Sequence, residues 1–366
     1  MAREKVLAEL QVKKRLLGGW PLERDLLPKD APPRENLPPL DEDEKEALSE
    51  PTLKIKSLRL REILEGHLNS SIYSPAVFAA DFSPDGKFLV TGNDIGQCIL
   101  WDMKELKPIS IFPTNGTIYE VKFDPTGQKI IVSLQSGQAL VLAANTGKVI
   151  LSLEGLDNQK PKVLHGEFSP NGQMALTASA NHTINLWDMK NGKFIRSLQG
   201  HTDLVRQASF SPDGRFIVSA SNDGTSRIWQ VDTGLEIGQM SSRNDKSIVG
   251  TASFDKTGKF IMNGFWDGHL IIRDRIKGKT YLDLSHQYPI YKATYSADGK
   301  YIATLSLGDN KIFHLTLWDA HTGEKYLTHN FQGRNVPLSV QFSPDGHTLA
   351  VTTELGQIYI LEVHHL

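Results

Sequence analysis

The chain has a single cysteine in 366 residues, Cys98. No internal disulfide can form, and this usage fits a reducing compartment. The formal net charge is −2, so there is no electrostatic footprint for nucleic acid or anionic lipid. No apolar run approaches the ~20 residues needed to span a bilayer. The charged N-terminus has no apolar signal-peptide core. His-Glu-x-x-His, paired cysteines and a calcium loop are missing, so neither a metal nor a cofactor is expected. Gly278-Lys279-Thr280 is not a phosphate loop, because Arg273 stands where that loop needs glycine. These absences point to a cytoplasmic protein that acts on neither membranes nor nucleic acid.

What the chain has is a repeat. An aromatic before a tight turn recurs as Phe82, Phe123, Phe168, Phe210, Phe254, Tyr295 and Phe342, at intervals of 41 to 47 residues. The turns include Pro84-Asp85-Gly86, Pro170-Asn171-Gly172, Pro212-Asp213-Gly214 and Pro344-Asp345-Gly346. Pro fixes φ and Gly accepts φ > 0, so each is a connection between two short strands. A further strand ends fifteen residues after the turn glycine, as Trp101-Asp102, Leu142-Ala143, Trp187-Asp188, Trp229-Gln230, Arg273-Asp274 and Leu361-Glu362. In the sixth unit Trp318-Asp319 comes nineteen residues after Gly299, which places four inserted residues within Leu307 to Leu315. A period near 40–45 with four short strands per unit predicts propeller blades.

The Gly200-His201 lead, the Ser-Pro-Asp-Gly turns and the Trp-Asp ends resemble the WD40 repeat family over roughly residues 58 to 366. The resemblance implies an all-β, seven-bladed propeller. Leu58–Leu64 followed by Gly66-His67 is similar to Phe194–Leu198 followed by Gly200-His201. It reads as a fourth strand with no blade before it, while the seventh unit ends at Leu366 without its own. In the family such a strand completes the last blade and closes the ring. The propeller is expected over 53–366. Before it, 1–52 reads as a tail: a helix over about 2–17, with Val6, Leu7, Leu10 and Leu17 near one face, then an acidic, Pro-rich linker.

His201, Ser219, Asp223 and Trp229 include the residue types of a hydrolase triad. The resemblance gives them a structural role instead, as a hydrogen-bond network within one blade, and no nucleophile elbow surrounds Ser219. No catalytic residue is expected. Units two and seven have lost the network and unit five has Arg273 for Trp, so these blades are expected to be weaker. His364-His365 reads as a frayed terminus rather than a metal site. Family positions further imply that Phe78, Tyr119, Leu204, Arg206, Trp266 and Tyr291 gather around the channel mouth on one face. Aromatics and Arg dominate binding hot spots, so the implied function is a scaffold for a protein or peptide partner. The alternative is an enzyme or small-ligand binder using the central channel.

Overall fold

A computed structural model describes residues 53–66, 74–154, 160–242, 247–308, 312–331 and 335–365. The expected N-terminal helix and linker lie outside these residues, as do His67 and Leu156. Among the described residues every regular element is a strand, and no helix is long and apolar enough to cross a membrane.

Among the described residues twenty-eight strands form seven four-stranded antiparallel sheets. Blade four is representative: Val205–Phe210, Phe216–Ser221, Thr225–Gln230 and Glu236–Ser241, side by side in sequence order. Ser-Pro-Asp-Gly makes its first turn by local bonding. Ser211 Oγ donates to Asp213 Oδ1 at 2.5 Å and accepts from Phe216 N at 2.9 Å, while Gly214 takes φ +71°. That φ is open to glycine at no steric cost. The same serine-to-aspartate bond recurs at Ser83–Asp85, Ser296–Asp298 and Ser343–Asp345.

Each first strand contacts the first strand of the next blade, and Pro337–Phe342 of blade seven contacts Val77–Phe82 of blade one. These seven strands therefore line a central channel. Second strands are buried along almost their whole length, as in Ile217 to Ser221. A neighbouring blade covers each of their faces, which is why they read as continuous apolar runs rather than alternating ones. Core clusters accordingly bridge adjacent blades: Leu176, Ile184 and Leu186 of blade three pack with Ala208, Phe210 and Trp229 of blade four. Fourth strands are the outermost and least buried of each blade, with Lys107–Pro113 and Val149–Glu154 mostly exposed.

Blade seven takes its outer strand from the other end of the domain. Ile55–Leu64 pairs antiparallel with Ile358–His365, with Leu58 opposite Val363 and Leu64 opposite Ile358. The last strand runs through His364 and His365, which corrects the expectation of a frayed end. His365 is held by the Tyr301 ring at 5.3 Å and by a 3.1 Å contact of its Nδ1 with Tyr301 Oη. In blade six the insertion lengthens two strands, Tyr301–Leu307 and Phe313–Asp319, whose ladder extends to Leu307 opposite Phe313.

Candidate functional site

In blade four Trp229 is held by the strand beside it. Its Nε1 donates to Ser219 Oγ at 2.9 Å, and that oxygen lies 2.7 Å from His201 Nε2. His201 Nδ1 lies 2.7 Å from Asp223 Oδ2. Asp223 also accepts from Thr225 Oγ1 at 2.6 Å and Thr202 N at 3.0 Å. Burial works against the Asp223 carboxylate, but the bonds from His201 and Thr225 hold its pKa well below the usual range. Ser219 is fully buried beneath the ring of Trp229. Every polar group is consumed by another, so the four residues form a satisfied network.

Other blades keep parts of it. Trp101 Nε1 donates to Thr91 Oγ1 at 2.8 Å and Trp187 Nε1 to Thr177 Oγ1 at 2.9 Å. In blade six Trp318 Nε1 donates to Thr304 Oγ1 at 3.0 Å, and His286 Nε2 meets the same oxygen at 3.0 Å. The sequence reading missed His286. Its signal was its distance from Trp318, thirty-two residues, which is the twenty-eight of His201 to Trp229 plus the four inserted. Burial, and then the charges of His314 and Lys325, lower the His286 pKa to about 4.

Blades two and seven replace both members of the Ser/Thr–Trp pair by buried apolar residues, Val132 with Leu142 and Val351 with Leu361. Exchanging both partners together leaves no orphaned group and is close to neutral. The lost network is therefore not by itself a reason for those blades to be weak. In blade five Arg273 stands in place of the Trp, and its Nη1 donates to Ser241 O at 3.0 Å.

Strand register places the six proposed contact residues at one end of the ring, where first strands begin and second strands finish. Val77 lies opposite Asn93, Ile118 opposite Leu134, Val205 opposite Ser221 and Ile290 opposite Ser306. There Phe78 and Tyr119 are half-buried, with ring centroids 5.9 Å apart. The Arg206 guanidinium sits 5.2 Å from the centre of the Trp266 ring, and its Nε donates to Asn222 Oδ1 at 2.5 Å. Burial lowers the Arg206 pKa to about 10. Leu204 is half-buried beside it. Tyr291 departs from the expectation. It is only 8% exposed, and its hydroxyl donates to Pro337 O of the next blade at 2.8 Å. Its ring is occupied by packing between blades six and seven and does not stand free as an anchor. The sequence reading also missed two apolar residues at this end, Ile95 at 42% and Leu355 at 41% exposed, in the turns after the second strands of blades one and seven.

The channel holds charges that pair with one another. Asp81 accepts from Lys122 Nζ at 2.9 Å, Phe123 N at 2.8 Å and Gln341 Nε2 at 3.0 Å. Glu120 Oε2 lies 3.2 Å from His165 Nδ1 and 3.5 Å from Lys292 Nζ. His165 Nε2 lies 3.6 Å from Glu167 Oε2. Burial disfavours the His165 imidazolium, but the carboxylates at both nitrogens raise its pKa.

Comparison with known proteins agrees with this geometry. The family model "WD domain, G-beta repeat" matches residues 58–102, 147–188 and 192–230. Human Striatin-4 is 29% identical over 153 residues, 40% of this chain and 20% of that protein. Eukaryotic translation initiation factor 3 subunit I of Danio rerio is 23% identical over 141 residues, 36% of this chain and 43% of that protein. Human Protein NEDD1 is 22% identical over 286 residues, 76% of this chain and 42% of that protein. The chain thus spans about a fifth of the Striatin-4 length and less than half of the other two.

Proposed function

We propose that this chain, a WD40-repeat β-propeller, is a non-enzymatic cytoplasmic scaffold that binds a protein or peptide at the channel-mouth end of its blades. The observation that carries this reading is the Arg206–Trp266 pair. A guanidinium set over an indole face at a rim is a hot-spot combination. Around the ring, Phe78, Tyr119, Ile95 and Leu355 add apolar surface at the same end. Apolar surface of this kind on one face marks an interaction site. Residues 1–52 act as a separate tail in this reading. The channel alternative has less in its favour, since the acids and bases there are engaged with one another rather than aimed at open space.

The test is affinity purification with quantitative mass spectrometry, followed by direct binding of the recovered partner. Arg206→Ala and Trp266→Ala are expected to weaken that binding by at least tenfold, about 1.4 kcal/mol. Phe78→Ala is expected to weaken it less. Each variant must still unfold cooperatively. If Arg206→Ala and Trp266→Ala both bind as wild type, the site lies elsewhere.

A further inference from the structure

The chain contains four Asn-Gly pairs, beginning at Asn115, Asn171, Asn191 and Asn263. In such a pair the backbone nitrogen of the glycine can attack the asparagine side chain, and glycine has no Cβ to hinder the approach. The fold opposes that attack at three of the four. Asn171 Oδ1 accepts from Ser169 Oγ at 2.8 Å and Gln173 N at 3.0 Å, and Gly172 N donates to Ser169 O at 2.8 Å. Asn191 Oδ1 accepts from Lys193 N at 2.9 Å, and Gly192 N donates to Asp188 O at 2.8 Å. Asn263 is fully buried in the second strand of blade five, with Ala252 opposite on one side and Ile271 on the other.

The fourth pair is open. Asn115 and Gly116 are both exposed, and a Cβ added at Gly116 would meet nothing within 4 Å. Among the described residues no hydrogen bond holds the Asn115 amide or the Gly116 N–H. The residues on either side are held. Thr114 N donates to Gly96 O at 2.7 Å, and Thr117 Oγ1 donates to Asp94 O at 2.9 Å. Asn115-Gly116 is therefore a free arch with both feet fixed to the turn that carries Ile95, at the channel-mouth end of the ring. A nucleophile and its target joined in one chain react fastest where nothing keeps them from the attacking geometry.

We propose that Asn115 is a modification site: it converts spontaneously, through a succinimide with Gly116, to isoaspartate and aspartate, and so changes the rim as the molecule ages. The Gly116 nitrogen gives up its proton and bonds to Asn115 Cγ, and the side-chain nitrogen leaves as ammonia. Water then opens the five-membered ring. Opening at the side-chain carbonyl gives aspartate. Opening at the main-chain carbonyl gives isoaspartate, whose backbone runs through Cβ and Cγ. One water is consumed, one ammonia is released, and nothing is oxidised or reduced. Either product puts a carboxylate where a neutral amide stood. Isoaspartate also adds one carbon to the backbone between Thr114 and Thr117. With both feet fixed, that length is taken up at Ile95 or at the start of Ile118–Phe123, where Tyr119 stands against Phe78. The consequence for binding rests on the partner face proposed above.

In the experiment the purified full chain is held at neutral pH and physiological temperature in heavy-oxygen water. Digested samples are read by peptide mass spectrometry against synthetic isoaspartyl standards. The Asn115 peptide is expected to gain one heavy oxygen and to coelute mainly with the isoaspartyl standard. Asn171, Asn191 and Asn263 are expected to convert at least tenfold more slowly, about 1.4 kcal/mol of extra barrier. In urea the four rates should converge, because the sequence supplies the reaction and the fold selects the site. Asn115→Gln, an exposed change that enlarges the would-be ring to six atoms, is expected to remove the product and keep the wild-type melting curve. Aged wild type is expected to bind the partner recovered by affinity purification several-fold more weakly than aged Asn115→Gln. Absence of isoaspartate at Asn115, or equally fast conversion of Asn171 and Asn191 in the folded chain, overturns the site. Equal binding by the two aged proteins, with Arg206→Ala still defective, overturns the effect on the rim. If Arg206→Ala binds as wild type, the partner face itself is what fails.

Discussion

Lys292 Nζ lies 3.5 Å from Glu120 Oε2, although the two residues belong to blades six and two and stand 172 positions apart in the chain. The pair reaches across the channel and ties non-adjacent blades together. Burial opposes the Glu120 carboxylate, yet Lys292, His165 and Lys122 pull its pKa from 4.5 to about 2. A carboxyl held below its unfolded value adds stability above that value and loses it as pH falls through the folded one. Glu120 is therefore expected to contribute stability that is full above about pH 4.5 and disappears toward pH 2. Denaturant unfolding at pH 7 and pH 3 checks this. Glu120→Gln should lower stability at pH 7 and narrow the difference between the two pH values. An undiminished difference in the variant would remove Glu120 as its source.

Asp223→Ala leaves the His201 Nδ1 side of the blade-four network without its acceptor. An unsatisfied buried group costs about 1–3 kcal/mol, and urea unfolding is expected to show a loss in that range. Ser219→Ala, which strips Trp229 Nε1 of its acceptor, is expected to fall in the same range. The two together should cost less than their sum, because they share His201. Wild-type stability in either variant contradicts the network.

His286 titrates in the opposite sense to an ion-paired histidine. Its folded pKa of about 4 lies below the ordinary 6.5, so the unfolded chain takes up the proton first. Stability tied to this ring is expected to be whole above pH 6.5 and to fall as the pH drops toward about 4. The imidazole carbon-bound proton signals, followed by NMR from pH 8 to 3.5, should show His286 still neutral at pH 5.5. A midpoint near 6.5 would refute it.

Removal of residues 1–52 is expected to leave a folded propeller, whereas removal of 1–66 takes away Ile55–Leu64 and bares the ladder of Ile358–His365. A long unpaired edge is a template for association. Scanning calorimetry and light scattering should show an early, aggregating transition for the shorter protein only. Matching melting curves for the two truncations would show that the strand contributes nothing to closure.

Blade number and strand order were legible in the sequence. Pro-Asp-Gly turns and the aromatics before them act within a few residues, so their physics is written in consecutive positions. The Ser/Thr–Trp bonds were legible through the family resemblance, and the ten-residue separation within one hairpin is what brings the side chains together, as at Thr91 and Trp101, Thr177 and Trp187, and Ser219 and Trp229. His286 stands nine residues before Tyr295 as His201 stands nine before Phe210, so that count was intact, but Ser285 replaces the glycine of the Gly-His lead and the insertion lengthens the distance to Trp318. The Lys292–Glu120 contact was not legible, since only closure of seven blades brings those strands to opposite walls of one channel. Nor was the burial of Tyr291. A residue at the start of a first strand points to the rim by position, but whether its ring stays there depends on the carbonyl that the next blade offers, here that of Pro337. Local spacing decided the blades and their internal bonds. What lies between blades and across the channel was decided by packing, because those partners are neighbours only once the ring has formed.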